Sequence, residues 1–245
     1  MRVLIVHAHP DNKSFNAALT QSAIEQLTAD GHDVQLSDLY AMKFKAVLDE
    51  DDFEQRNNVE QFHVAHEQTY AVEVGAQAAD VTAEQEKVMW ADLIIFQFPL
   101  WWFGMPAILK GWVDRVWARG FAYYTGRKYD TGMLRGKLGL ICVTTGTSAD
   151  TYAPDGIDGS LFDTLWPINN GVFRYTGCDV VEPYFVFMPA KMSDSEREEA
   201  LSGWRAKLHN IDNEPRLQFH ADTDYGDNDR LKPGVIAKSG FQHNA

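Results

Sequence analysis

Residues 91–116 read ADLIIFQFPLWWFGMPAILKGWVDRV, and the fold turns on how this stretch divides. Leu93–Phe98 is a strongly apolar run of strand length. Pro106–Arg119 reads as a helix. Between them, Pro99-Leu100-Trp101-Trp102-Phe103-Gly104 is a loop that carries three aromatic residues in a row. Strand, loop and helix in this order are one half of a β–α repeat.

The same alternation extends in both directions. Upstream, Val3–Val6 is a strand at the N-terminus, Ser14–Ala29 a helix opened by a capping-type serine, and Asp33–Leu36 a weaker strand after Gly31. Downstream, Lys137–Thr144 and Val180–Phe187 are a fourth and fifth strand, and Ser193–His209 is a last long helix. Strands separated by helices predict an α/β protein with a doubly wound, five-stranded parallel sheet. Two stretches fall outside the repeat: a polar excursion over residues 41–80, and a Pro- and Asp-containing tail beyond the last helix. Residues 1–211 are expected to form the main domain and 212–245 a C-terminal appendage.

Composition narrows the function. The chain has 245 residues, of which 45% are hydrophobic, enough for a sizeable core. Lys and Arg number 22 against 35 Asp and Glu, a net charge of −13, which disfavours nucleic acid or an anionic membrane as the main partner. Cys142 and Cys178 offer at most one disulfide and no metal framework. The opening run MRVLIVHAHP is too short for a signal peptide, and no stretch reaches the length of a membrane span. A cytoplasmic globular protein is expected.

In an open parallel sheet, ligands bind outside the carboxyl ends of the strands, near the point where the strand order reverses. That rule singles out His7–Asn16, Pro99–Gly104, Thr144–Tyr152 and Met188–Lys191. The first loop opens a helix whose N–H groups suit a pyrophosphate, with Ser14 and Asn16 adding side-chain bonds; an ordinary helix cap accounts for the same residues. No GxGxxG follows the first strand and no P-loop occurs, which disfavours a Rossmann-type NAD site and an NTPase. Trp101, Trp102 and Phe103 in a loop call for a planar apolar ligand or a subunit interface, and a stacked flavin ring meets the first need. Thr144, Thr145 and Gly146 suit the polar edge of such a ring. His63 and His66 lack further ligands for a metal, as do His7 and His9. No serine or cysteine sits in a nucleophile elbow.

Several segments together resemble the NAD(P)H:quinone oxidoreductase (DT-diaphorase-like) flavoprotein family. They are SFN at 14–16, SDLYAMKF at 37–44, the 91–116 block, FAYYTGRKYDTG at 121–132, TTG at 144–146, LWPINNGV at 165–172 and GWRAKLHNI at 203–211. The resemblance runs in order over most of the chain. It implies a flavodoxin-like fold, non-covalent FAD, NADH or NADPH as co-substrate and an obligate homodimer with sites at the interface. It also implies a ping-pong reaction in which nicotinamide gives a hydride to the flavin and a quinone then takes it from the same slot.

By this resemblance, His9, Ser14, Phe15 and Asn16 hold the FAD pyrophosphate and ribityl chain. Pro99, Leu100, Trp101, Trp102 and Phe103 run along the ring, and Trp102 and Phe103 also line the substrate slot. Thr144, Thr145 and Gly146 meet the ring edge. Arg197 lies near the adenine, which favours FAD over FMN. Tyr123 and Tyr124 reach in from the partner subunit, and Tyr152 sits beside flavin and donor. The sequence departs where a family His becomes Asp158, whose ionised carboxylate (pKa about 3.9 when unperturbed) would repel negative charge on a reduced flavin. Asp158 is therefore expected to point away or be hydrogen-bonded. Thr147 replaces a glycine, and the tail after Ile211 diverges. Rival readings are a one-electron flavodoxin-type carrier, an azo- or nitroreductase, and an accessory subunit that regulates a membrane channel or transporter.

Overall fold

The computed structural model describes residues 1–237. In chain order its main elements are β1 (Arg2–His7), α1 (Phe15–Ala29), β2 (Asp33–Asp38), α2 (Val64–Val74), α3 (Ala79–Trp90), β3 (Leu93–Pro99), α4 (Ala107–Val116) and β4 (Leu138–Thr145). After them come β5 (Asp179–Val180), β6 (Tyr184–Phe187) and α5 (Asp194–His209). The strands pair in the order β2-β1-β3-β4-β5, all parallel, with β6 also on β4. This is the flavodoxin-like order, and it reverses direction between β1 and β3.

Side chains that alternate along β1 feed opposite layers. Val3 and Ile5 pack with Leu19, Leu27, Trp204 and Leu208, so α1 and α5 cover one face. Leu4 and Val6 pack with Val88, Leu109, Trp112 and Phe173, so α3, α4 and a short helical segment over 161–174 cover the other. Two buried tryptophans lock these layers: Trp204 Nε1 donates to Leu19 O at 3.1 Å, and Trp112 Nε1 to Glu84 Oε2 at 2.8 Å. Each adds the burial of a large apolar ring to a satisfied donor.

One expectation needs correction. The expected strand Val180–Phe187 is broken into β5 and β6, giving six strands. Pro183 has no N–H, and the chain turns outward there: Glu182 N donates to Pro215 O, and Leu217 N to Val180 O. The tail thus begins as a short antiparallel run along β5, and Leu217 and Phe219 pack on the core. The excursion over 41–80 holds α2 and the start of α3. Arg115 of α4 fastens it, bonding Asp52 at 2.9 Å, Asp80 at 2.6 Å and Lys45 O at 2.9 Å. Gly111 lets the excursion cross α4, because a Cβ there would lie 2.0 Å from Ala46 O. Among the described residues, no helix is long and apolar enough to cross a membrane.

Candidate active site

The carboxyl ends of β1, β3 and β4 frame a cleft of about 590 Å³. Ala8 N donates to Gln97 O at 3.0 Å and Leu100 N to Thr144 O at 2.8 Å, so the loops leave the sheet in fixed register. Ser14 caps α1, accepting from Ala17 N at 3.2 Å, and also lines the cleft. The cap does not use up this helix end, because the first-turn N–H groups of Phe15 and Asn16 have no carbonyl to reach within the helix.

The cleft lining contains Lys13, Lys191 and Arg197 and no Asp or Glu. In a chain of net charge −13 that is a local reversal of sign. His7, just beneath, is buried and shares a 2.8 Å hydrogen bond with Thr20; burial pushes its pKa down, which favours the neutral ring. Burial raises the Cys142 thiol well above its ordinary value, which disfavours a thiolate behind the cleft.

The loop after β3 is strained. Trp102 and Phe103 have φ of 50° and 57°, in the left-handed region, where non-glycine residues cost about 1–2 kcal/mol each. Trp102 is 97% exposed. Strain of this kind concentrates at functional sites. Trp101 lies in the cleft wall, its ring 6.4 Å from that of His9.

Of the residues singled out from the sequence, His9, Ser14, Phe15, Asn16, Pro99, Leu100, Trp101, Thr144, Thr145, Gly146 and Arg197 all line this one cleft. Trp102 and Phe103 project from the adjoining turn, outside the lining. Tyr152 packs on Phe187 with ring centroids 6.2 Å apart. Asp158 is held through its backbone, N donating to Thr151 O at 2.9 Å, and among the described residues its carboxylate makes no hydrogen bond. Thr147 accepts the Thr145 hydroxyl at 2.8 Å through its carbonyl. Tyr123 stacks edge-on against Tyr175 at 5.5 Å, burial raising its pKa, and Tyr124 lies under Arg119 at 4.5 Å. Neither tyrosine reaches the cleft of its own chain. Lys13, Met188, Pro189, Ala190 and Lys191 complete the lining without having been assigned a role from the sequence. Their signal was the basic residue, Lys13 or Lys191, in the first and last of the four loops of a strongly acidic chain.

A family described by its flavodoxin-like fold matches residues 1–208. The human ribosyldihydronicotinamide dehydrogenase (quinone) is 41% identical over 226 residues, covering 92% of this chain and 98% of its own. The rat NAD(P)H dehydrogenase (quinone) 1 is 41% identical over 219 residues, covering 89% and 80%. A solved Klebsiella pneumoniae structure assigned as a quinone reductase superposes with a TM-score of 0.89 at 40% identity, covering 95% of this chain and 92% of that one. Sheet order, cleft and relatives agree: the chain belongs to the flavodoxin-like-fold family, in its NAD(P)H:quinone oxidoreductase branch.

Proposed function

We propose that the protein is an FAD-dependent enzyme that reduces quinones by two electrons at the expense of NADH or NADPH, both substrates using one slot in turn. The observation that carries this reading is the cleft free of carboxylates and lined by three cations in a chain of net charge −13. Such a cleft selects a polyanion. A flavin dinucleotide fits the residues present: Trp101 offers an aromatic wall, the first turn of α1 offers N–H donors, and Lys13, Lys191 and Arg197 offer charge for a diphosphate. When bound, the flavin would supply two-electron chemistry between nicotinamide and quinone. The chain's own part is to hold the ring between Trp101 and the Thr144–Gly146 strand end and to present Trp102 and Phe103 to a flat acceptor.

The same reading includes a homodimer. Trp102 is left in solvent, and Tyr123 and Tyr124 lie away from their own cleft. A second copy that covers the strained turn and brings its tyrosines to the slot accounts for both.

The test is a visible spectrum of the purified protein, followed by anaerobic NADH or NADPH and then a benzoquinone. Flavin bands that bleach with nicotinamide and return with quinone are expected. Bound flavin that fails to bleach would point instead to the accessory-subunit role.

A further inference from the structure

Every residue of β3 is buried, and the run Leu93-Ile94-Ile95-Phe96-Gln97-Phe98-Pro99 contains one polar side chain. Gln97 is 1% exposed. Its Nε2 donates to Asn16 Oδ1 at 3.0 Å, and Asn16 Nδ2 donates to Thr144 Oγ1 at 2.9 Å. All three side chains are buried, and the chain of bonds joins β3, α1 and β4.

The direction of these bonds is fixed at the Gln97 end. A carboxamide that accepts at its oxygen donates at its nitrogen. Turned over, Asn16 would set its NH₂ against that of Gln97, two donors facing each other where burial makes an unpaired group costly. Turning Gln97 over as well would leave its NH₂ where Oε1 now lies. There, among the described residues, Oε1 has no hydrogen-bond partner. A carbonyl oxygen tolerates that position better than an NH₂ does.

The consequence falls on Thr144. Its oxygen already accepts from Asn16, and among the described residues no acceptor takes its hydroxyl proton. Thr144 lines the cleft. Its neighbour Thr145 differs, since that hydroxyl is spent on Thr147 O at 2.8 Å.

We propose that Gln97 is a positioning residue: through Asn16 it orients Thr144 Oγ1–H as a hydrogen-bond donor into the cleft, where it stabilises the negative charge that a bound flavin ring gains on two-electron reduction. This rests on the flavin reading above. A donor oriented beforehand in a buried site acts without reorganising when charge arrives. It also supplies a donor that Asp158 cannot supply as a carboxylate.

The experiment measures the midpoint potential and visible spectrum of the bound flavin in the holoprotein for wild type, Gln97→Met, Thr144→Val, Thr144→Ser and the Gln97→Met/Thr144→Val double variant. Gln97→Met and Thr144→Val each shift the reduction equilibrium against the reduced form by about tenfold, ~30 mV for a two-electron couple. Thr144→Ser, which keeps the hydroxyl, retains the wild-type potential. The double variant falls no lower than either single one, because both break the same chain. Additive shifts, or a wild-type potential in Gln97→Met beside a shifted Thr144→Val, overturn the proposal. If Gln97→Met does not fold, the Thr144 pair decides, and equal potentials for Val and Ser overturn it. A wild-type protein whose flavin NADH and NADPH both fail to reduce overturns the functional reading and the relay together. A flavin reduced at one potential in every variant overturns the relay alone.

Discussion

Trp101 and Gly104 exchange two backbone hydrogen bonds, Trp101 N to Gly104 O at 3.1 Å and Gly104 N to Trp101 O at 3.0 Å. The two residues between them both have positive φ, which makes this a two-residue turn of the kind that favours Asn-Gly. Here it carries Trp-Phe. Replacing the pair (Trp102→Asn with Phe103→Gly) relieves about 2 kcal/mol of backbone strain. The melting temperature should rise by roughly 4–8 °C, while quinone reduction falls at least about tenfold. Calorimetry and steady-state assays check both. A less stable double variant would show that the turn is not strained.

Arg115 and Asp52 are 1% and 4% exposed and lie 2.8 Å apart. Arg115→Met takes the guanidinium from the buried Asp52 carboxylate and leaves it Lys45 Nζ at 3.1 Å and the Asp49 N–H at 3.1 Å, with an expected cost of about 2–3 kcal/mol. Asp52→Asn added to Arg115→Met should recover part of that loss. Denaturant unfolding measures the cycle, and a loss below about 1 kcal/mol would mean that Lys45 alone compensates Asp52.

Gly156 sits where the loop carrying Tyr152 folds back on itself. A Cβ there would lie 2.4 Å from Asp150 O and 2.5 Å from Thr151 O. Gly156→Ala should displace the loop and slow flavin reduction by about tenfold or more, since small misplacements at a reacting centre are costly. The dissociation constant for flavin should hold within about twofold, because the cleft lining excludes this loop. Rapid mixing and flavin titration separate the two effects. Normal reduction with weakened flavin binding would reverse the assignment.

Asp92 receives three bonds from Arg2, from the backbone N–H at 2.8 Å and from the guanidinium at 2.7 and 3.3 Å, and its pKa falls to about 2, mainly through the Arg2 side chain. The depressed value means that its contribution is fully present above the ordinary 3.8 and is lost as pH falls from there through about 2. Both side chains are more than 40% exposed, so screening limits the contribution to about 1 kcal/mol. Asp92→Asn should therefore be less stable than wild type at pH 7, with the gap closing by pH 2. A gap that persists in acid would count against the pair.

The frame of the sheet was legible because β1, β3 and β4 are short apolar runs with one buried role per residue. The helices α2 and α3 were not, because their inward faces are polar. Gln68 reaches Asp114 O and Arg119 N, Gln85 reaches Val116 O, and Glu84 receives Trp112 Nε1. Hydrogen bonds stand there in place of apolar contacts, so no hydrophobic period marks the helix. The place of the cleft was legible from the loops at the strand ends, while Arg197, which lies in α5, came only from the family resemblance. What escaped was its charge, since Lys13 and Lys191 meet only in space. Gln97 also escaped, although a lone amide inside LIIFQFP is itself a signal that something within the sheet must accept its protons.

The antiparallel run of Pro215–Leu217 along β5 has a consequence for colloidal behaviour. A bare strand edge is a template on which another chain can add. On this flank the tail occupies that template: Leu217 N bonds Val180 O, and Glu182 N bonds Pro215 O. A chain cut after Ile211 would keep its cleft residues, yet it would offer sticky main chain to its neighbours. Its failure would show as concentration-dependent precipitation before any loss of catalytic chemistry.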